Sequence, residues 1–226
     1  MSVLGVFIGC LITIATTIFV EWLRKPRLQI DLDPHADITF SDRPMIEARY
    51  LYVRVRNKPL WSITRWMSRS PALQCHGMIS FHDLQGQDIF GRTMPIRWSD
   101  APEPVAPQLI INNMSVAMID PDRIAIISRR NIYPGESERL DVAVRFDSDV
   151  DCYGWTNDNY FSEPKWRNPK WRLPGGCFLA RVTVISAGER SAKLFRVINC
   201  SLRTDFRLEL ARPEDSKRFR SGHGPI

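Results

Sequence analysis

The sequence predicts an all-β protein, an antiparallel β-sandwich of about eight or nine short strands preceded by a single N-terminal transmembrane α-helix. Three observations predict it. The eighteen residues from Val3 to Val20 carry no charge, the length and composition of a bilayer-spanning helix. Beyond Pro26 the apolar residues alternate with polar ones at period two, as in half-buried strands. Sixteen prolines and twelve glycines are spread along the 226 residues, which disfavours long helices, and the crossover helices that parallel strands need are not found. With 44% hydrophobic and 25% charged residues the composition suits a folded domain and argues against wholesale disorder.

The apolar run comes first. As a helix it spans about 27 Å at ~1.5 Å per residue, close to the hydrocarbon thickness of a bilayer. Only Met1 and Ser2 precede it, without the basic segment of a signal peptide, and Glu-Trp-Leu-Arg-Lys-Pro-Arg follows where a small-residue cleavage site would stand. The expectation is a retained anchor over residues 1–23 and a basic juxtamembrane linker over 24–27. Arg24, Lys25 and Arg27 directly follow the span, so the positive-inside tendency places the C-terminal body in the cytoplasm and the N-terminus outside. Trp22 stands where an interfacial aromatic belongs, and Pro26 stops the helix. Cys75, Cys152, Cys177 and Cys200 lack CxxC spacing and would be free thiols in that compartment; a lumenal or periplasmic body with up to two disulfides is the alternative. Gly5 and Gly9 form a GxxxG step that Thr13 and Thr16 (or Thr17) continue, a stripe that lets two helix backbones approach. Its partner is a second copy or a different membrane protein.

The sandwich is expected over residues 28–211. Leu28, Ile30 and Leu32 alternate with Gln29 and Asp31. In Arg49–Arg56, Leu51, Val53 and Val55 lie on one face, with Tyr50, Tyr52, Arg54 and Arg56 on the other. Leu73, Cys75, Gly77, Ile79 and Phe81 repeat the pattern, and a polar turn over Asp83–Asp88 leads to an extended piece at Ile89–Trp98, giving a hairpin. Pro102, Pro104 and Pro107 mark a loop. Ile124–Ile127 reads as a short buried strand, and Tyr133–Glu136 as a turn. Leu140, Val142, Val144 and Phe146 then alternate with polar or small residues, and Cys177–Ser186, Lys193–Asn199 and Thr204–Leu210 supply the last three strands.

The segment Leu173-Pro-Gly-Gly-Cys-Phe-Leu-Ala-Arg-Val-Thr-Val184 resembles the late-strand motif of fibronectin type III and related immunoglobulin-like domains, in which a Pro-Gly turn introduces a strand of alternating aromatic and aliphatic residues. The resemblance covers about a dozen residues and implies an immunoglobulin-like sandwich superfold, without implying a function. Phe178 stands where those domains usually carry a tyrosine, and the core cysteine pair with its tryptophan has no match here.

The net charge of +6 invites a nucleic-acid reading, but its distribution argues against one. Residues 1–27 and the tail from Arg212 to Ile226 each hold two of the excess charges, leaving two for the 184 residues between, too few for a nucleic-acid-binding face. No catalytic signature, cofactor motif or phosphate-cradling loop is present. His76 and His82 are expected on the solvent side of one strand, roughly 20 Å apart and too far to share a metal, while His223 lies in the tail. An enzyme would need a site dispersed over distant loops.

Two patterns carry more. Asp147, Asp149 and Asp151, followed by Asn157, Asp158 and Asn159, have the spacing of calcium ligands in a loop of the C2 type, although ordinary turns use the same residues. Lys165-Trp-Arg-Asn-Pro169 and Lys170-Trp-Arg-Leu-Pro174 form a tandem repeat, and Trp61 and Trp66 are also interleaved with cations. Trp166, Arg167, Trp171, Arg172, Trp61 and Trp66 therefore suit a protein partner or the headgroup layer beneath a tethered domain; alternatively the indoles fold back as lids on the core. Residues 212–226 read as a flexible tail whose Lys217, Arg218 and Arg220 would graze anionic lipid. Asn113 and Asn199 match the glycosylation pattern, which is irrelevant to a cytoplasmic body. Taken together, these features make the expected function a non-catalytic, membrane-anchored interaction or scaffolding module, with a calcium-dependent or lipid-sensing domain second and an enzyme third.

Overall fold

The computed structural model describes residues 3–40, 43–61, 67–104, 109–111, 114–116, 129–147, 149–164, 166–187, 189–200 and 202–223. Ile124–Ile127, Trp66 and Asn113 lie outside them. Helix α1 runs over Val3–Arg24 and gives way one residue before Pro26, whose ring fixes φ and removes a donor. The strands are β1 Leu28–Phe40, β2 Arg43–Asn57, β3 Ala72–His82, β4 Met94–Ile96, β5 Leu109–Ile111, β6 Met114–Val116, β7 Arg130–Ile132, β8 Ser137–Phe146, β9 Cys152–Gly154, β10 Arg172–Leu173, β11 Gly176–Ser186, β12 Glu189–Asn199 and β13 Arg207–Leu210. A second helix, α2, spans Pro213–His223.

One sheet has the order β1-β2-β8-β9-β10, and the other β13-β12-β11-β3-β4 with β7 also on β3; β5 and β6 pair separately. The pairs are antiparallel, as the want of crossover helices requires. The sheets face each other across a core in which Leu51, Val53 and Val55 meet Ile79, Phe81, Val182, Val184 and Phe195 around Trp98. Burying each such side chain contributes about 1.5–3 kcal/mol. At one margin the chain after β4 crosses sheets, since Trp98 bridges Leu140 on β8. At the other, Lys193 of β12 reaches Asp31 of β1. The Pro-Gly turn at Leu173–Gly176 introduces β11, the longest run of pairing in the second sheet.

Three expectations need correction. First, Tyr50 and Tyr52 are not on a solvent face: both are about 6% exposed, in an outer aromatic cluster with Phe146, Tyr153, Trp155 and Trp166. The β2–β8 register skips Val142, which makes a bulge. Leu140 and Val142 therefore stay in the core while Val144 and Phe146 turn outward, where simple alternation put all four on one face. The excursion between Trp155 and Trp171 then folds over these rings. Its hub is the fully buried Asn159, whose side-chain amide donates to the Gly154 and Trp166 carbonyls and whose carbonyl oxygen accepts from Thr156 N–H.

Second, residues 213–223 of the segment read as a flexible tail are helical. Pro213 occupies the first helical position, and Asp215 reaches back to accept from Arg212 N–H. Phe219 is fully buried against Leu179 and Leu194 on the outer face of the second sheet. Third, His82 is enclosed by that same helix. Its ring meets Phe219 edge-on at 4.8 Å and shares a hydrogen bond with Ser80 Oγ at 2.8 Å. One phenylalanine on an otherwise polar helix leaves no apolar period to find, so neither contact was visible beforehand.

Candidate functional site

Helix α1 has no buried residue from Gly5 to Arg24, and this window, of mean hydropathy 2.1, is long and apolar enough to cross a membrane. The Thr13, Thr16 and Thr17 hydroxyls donate to the carbonyls of Gly9, Ile12 and Thr13, at 2.8–2.9 Å. Their polarity is thereby satisfied within the helix, as an apolar surrounding demands. Gly9 has no neighbour near its missing Cβ, so the helix surface at Gly9 is open. Trp22 stacks on Phe19, and the Arg27 guanidinium lies over Trp22 at 4.9 Å.

Residues 24–27 are docked onto the sandwich. Ser70 N–H donates to the Arg24 carbonyl at 2.7 Å, satisfying one of the acceptors that a helix end leaves open. Arg69 donates to the Lys25 carbonyl at 2.6 Å, Lys58 N–H to the Arg27 carbonyl at 3.0 Å, and Arg27 N–H to the Asn57 side chain at 3.2 Å. Asn57 is fully buried and spends its amide on the Ser70 and Ile132 carbonyls. Lys25 pairs with Glu189 at 3.4 Å. Burial and the charge of Arg27 both push the Arg69 guanidinium below its usual pKa.

These contacts define a helix-proximal end of the sandwich, where β1, β3, β8 and β12 begin and β2 and β11 end. Trp61, 80% exposed, projects there together with the exposed Tyr133 and Leu73. Leu73 is turned out of the β3 alternation by Gln74, whose φ of 54° belongs to the left-handed region. Beside the junction a groove of about 390 Å³ is lined by Arg27, Gln29, Lys58, Ser191 and Lys193. Two of the lining side chains are held by Asp31, which accepts from Gln29 at 2.5 Å and Lys193 at 3.2 Å. Burial would raise that carboxyl, but these hydrogen bonds and the Lys193 and Lys58 charges hold it below its ordinary range.

The other expected site residues lie at the far end. Strand β12 runs from Glu189, beside Lys25, to Asn199, which accepts from Arg145 at 2.8 Å. At about 3.3 Å per residue the two ends are some 30 Å apart. There Trp166 is buried and stacks on Phe146 at 6.3 Å, while Trp171 is buried edge-on to Phe90 at 5.2 Å. Arg167 pairs with Asp149 at 2.7 Å, Arg172 with Asp151 at 2.6 Å, and Arg203 with Asp147 at 2.5 Å. The tandem repeat is thus a pair of clamps: each tryptophan plugs an aromatic gap and each arginine neutralises one acid of the 147–151 loop. This corrects two expectations. Trp166 and Trp171 are buried, so the indoles do not form an exposed contact surface, although the Arg172 side chain remains 61% exposed, and the three aspartates are divided among three arginines. Among the described residues no group of three or more His, Cys, Asp or Glu is placed to hold a metal.

Two further buried arginines plug this end. Arg49 forks onto Asp37 at 2.8 Å and reaches the Thr204 carbonyl, and its hydrogen bonds and charge draw the Asp37 carboxyl down. Arg145 donates to the carbonyls of Asp149, Cys200 and Leu202. Asn199 is fully buried and holds the Val150 and Pro174 carbonyls, so it is no glycan acceptor in this fold. The basic residues of α2 also belong to this half, because Phe219 packs beside the Gly86 turn that follows β3. All five cysteines are free.

A buried ionic cluster on the outer face of the first sheet had no sequence signal. Asp141 accepts from Ser99 Oγ at 2.6 Å, 3.6 Å from Arg97, whose guanidinium donates to the Ala101 and Pro102 carbonyls and lies over the Tyr160 ring. Burial pushes the Asp141 carboxyl up to about 6 against the opposing pull of Ser99 and Arg97.

Fold and site together define the class: an antiparallel β-sandwich borne on an apolar N-terminal helix, with an open, cation-rich end at the helix and a closed, internally neutralised end opposite. No protein-family model, curated protein or solved structure matches this chain.

Proposed function

We propose that this chain is a single-pass membrane protein whose cytoplasmic sandwich serves as a non-catalytic interaction module, an accessory or scaffolding subunit of a membrane complex. The observation that carries the reading is the junction: an exposed, largely apolar helix of 22 residues ends in Arg24, is hydrogen-bonded into the base of the sandwich and is followed at once by Lys25 and Arg27. Such a helix finds its apolar surroundings in a bilayer. The open side at Gly5, Gly9, Thr13 and Thr16 is where a neighbouring helix, from a second copy or another membrane protein, packs. An inward orientation follows from the charge bias and not from the fold.

The test uses the full chain in its membrane. Alkaline carbonate should leave it in the pellet. Cys200, exposed at the far end, should react with a membrane-impermeant maleimide only after the cells are opened. Release by carbonate overturns the anchor, and labelling on intact cells overturns the orientation.

A further inference from the structure

We infer that the junction groove walled by Arg27, Lys58 and Lys193 holds the phosphate of an anionic phospholipid headgroup. This rests on α1 spanning the bilayer and adds to it a ligand and the residues that recognise it.

The first argument is charge. Three cations, Arg27, Lys58 and Lys193, line the groove with no carboxylate among its lining residues, and Asp31 engages Lys193 and Gln29. Among the described residues no carboxylate lies within ion-pair distance of the Arg27 guanidinium or the Lys58 ammonium. A surplus of about two positive charges remains in a concave site whose Ser191 hydroxyl donates to the Leu28 carbonyl and whose Gln29 amide donates to Asp31, which leaves the cations as its donors. Guanidinium and ammonium donors match a phosphate diester. Elsewhere this protein neutralises its clustered charges pair by pair, as at Asp147, Asp149 and Asp151. In the groove only Lys193 has such a partner among the described residues.

The second argument is level. Arg27 lies three residues beyond the last helical residue, so it sits at most about 10 Å from the helix end. The polar headgroup layer is roughly 5–8 Å deep on each side of the hydrocarbon. The Arg27 wall of the groove is therefore within side-chain reach of the headgroup layer. Trp22, under the Arg27 guanidinium, and the exposed Trp61 lie at the same end, where amphipathic rings favour the interface.

The experiment takes the full chain in mild detergent micelles and titrates short-chain phosphatidylglycerol, short-chain phosphatidylcholine and inorganic phosphate, counting bound molecules by native mass spectrometry. Phosphatidylglycerol should bind in preference to phosphatidylcholine. Lys58→Gln should weaken it about fivefold, and Arg27→Gln with Lys58→Gln about twenty-five-fold, each cation near a lipid surface being worth about that factor. Both side chains are exposed and the backbone hydrogen bonds are kept, so thermal melts should match the parent. Lys170→Gln, an exposed cation at the far end, should change nothing. Equal binding of the two lipids, undiminished affinity in the double variant, or the same loss in Lys170→Gln overturns the inference. Inorganic phosphate displacing the lipid at equal concentration overturns the lipid as the source of the phosphate. Carbonate extraction reads the anchor separately, so failure of the groove is distinguishable from failure of the membrane span.

Discussion

The two ends of the sandwich carry the same residue types and use them in opposite ways. Trp22 and Trp61 lie open beside Arg27 and Lys58, whereas Trp166 and Trp171 are sealed beneath or beside rings and their arginines are spent on Asp149 and Asp151. What separates them is the surroundings and not the Trp-Arg composition. At the far end a loop of acids and an outward-facing Phe146 offer each tryptophan a platform and each arginine a counter-ion. At the helix end Glu21, Glu189 and Asp31 meet Arg24, Lys25 and Lys193, and Arg27 and Lys58 remain toward the groove. A Trp-and-cation motif therefore says nothing about exposure until the acids and rings that meet it are placed.

The sharpest way to break this contrast is truncation. Trp166→Ala should cost about 3–5 kcal/mol of stability in denaturant titrations of the full chain, as removal of a buried aromatic does. Trp61→Ala should stay within about 0.5 kcal/mol. Equal losses would abolish the distinction between open and closed ends.

Next in size is the pH response of the closed aromatic side. Folded Asp141 keeps its proton to about pH 6, while the unfolded carboxyl releases it near 3.8. Between those values the unfolded state binds fewer protons, so this residue makes stability fall as pH rises, by about 3 kcal/mol at most. Asp141→Asn should remove that fall, and the gap between variant and parent should widen in the variant's favour from pH 4 to pH 7. A gap independent of pH would mean that the buried carboxyl is not protonated in the fold. The smallest effect expected is none: millimolar calcium should leave the melting temperature unchanged, because Asp147, Asp149 and Asp151 are engaged by arginines. A calcium-dependent rise would show those pairs opening for a cation.

Where local periodicity and burial agree, the sequence was a sufficient guide. The charge-free run ends near Pro26 as α1 does, and Leu51, Val53 and Val55 face the core as their alternation implies. It was insufficient wherever a third layer covers a sheet. Tyr50 and Tyr52 alternate correctly yet are buried, because the Asn159-centred excursion returns over them. The bulge at Val142 shifts a strand without any glycine or proline to announce it. The candidate groove was legible only in part. Arg27 was singled out from its place after the apolar run, but Lys58 and Lys193 reach it through the β1–β2 ladder and the approach of β12 to β1, which no local pattern encodes.

The docking of residues 24–27 makes α1 and the sandwich a single mechanical piece. Four hydrogen bonds and an ion pair tie the helix end to the base of the sheets, with Pro26 between them. A turn of α1 about its own axis relative to the sandwich would have to break these contacts. A neighbouring helix that fixes the azimuth of α1 thereby also dictates which edge of the sandwich, β1 or the far margin of the sheet, is aimed at whatever lies beside it.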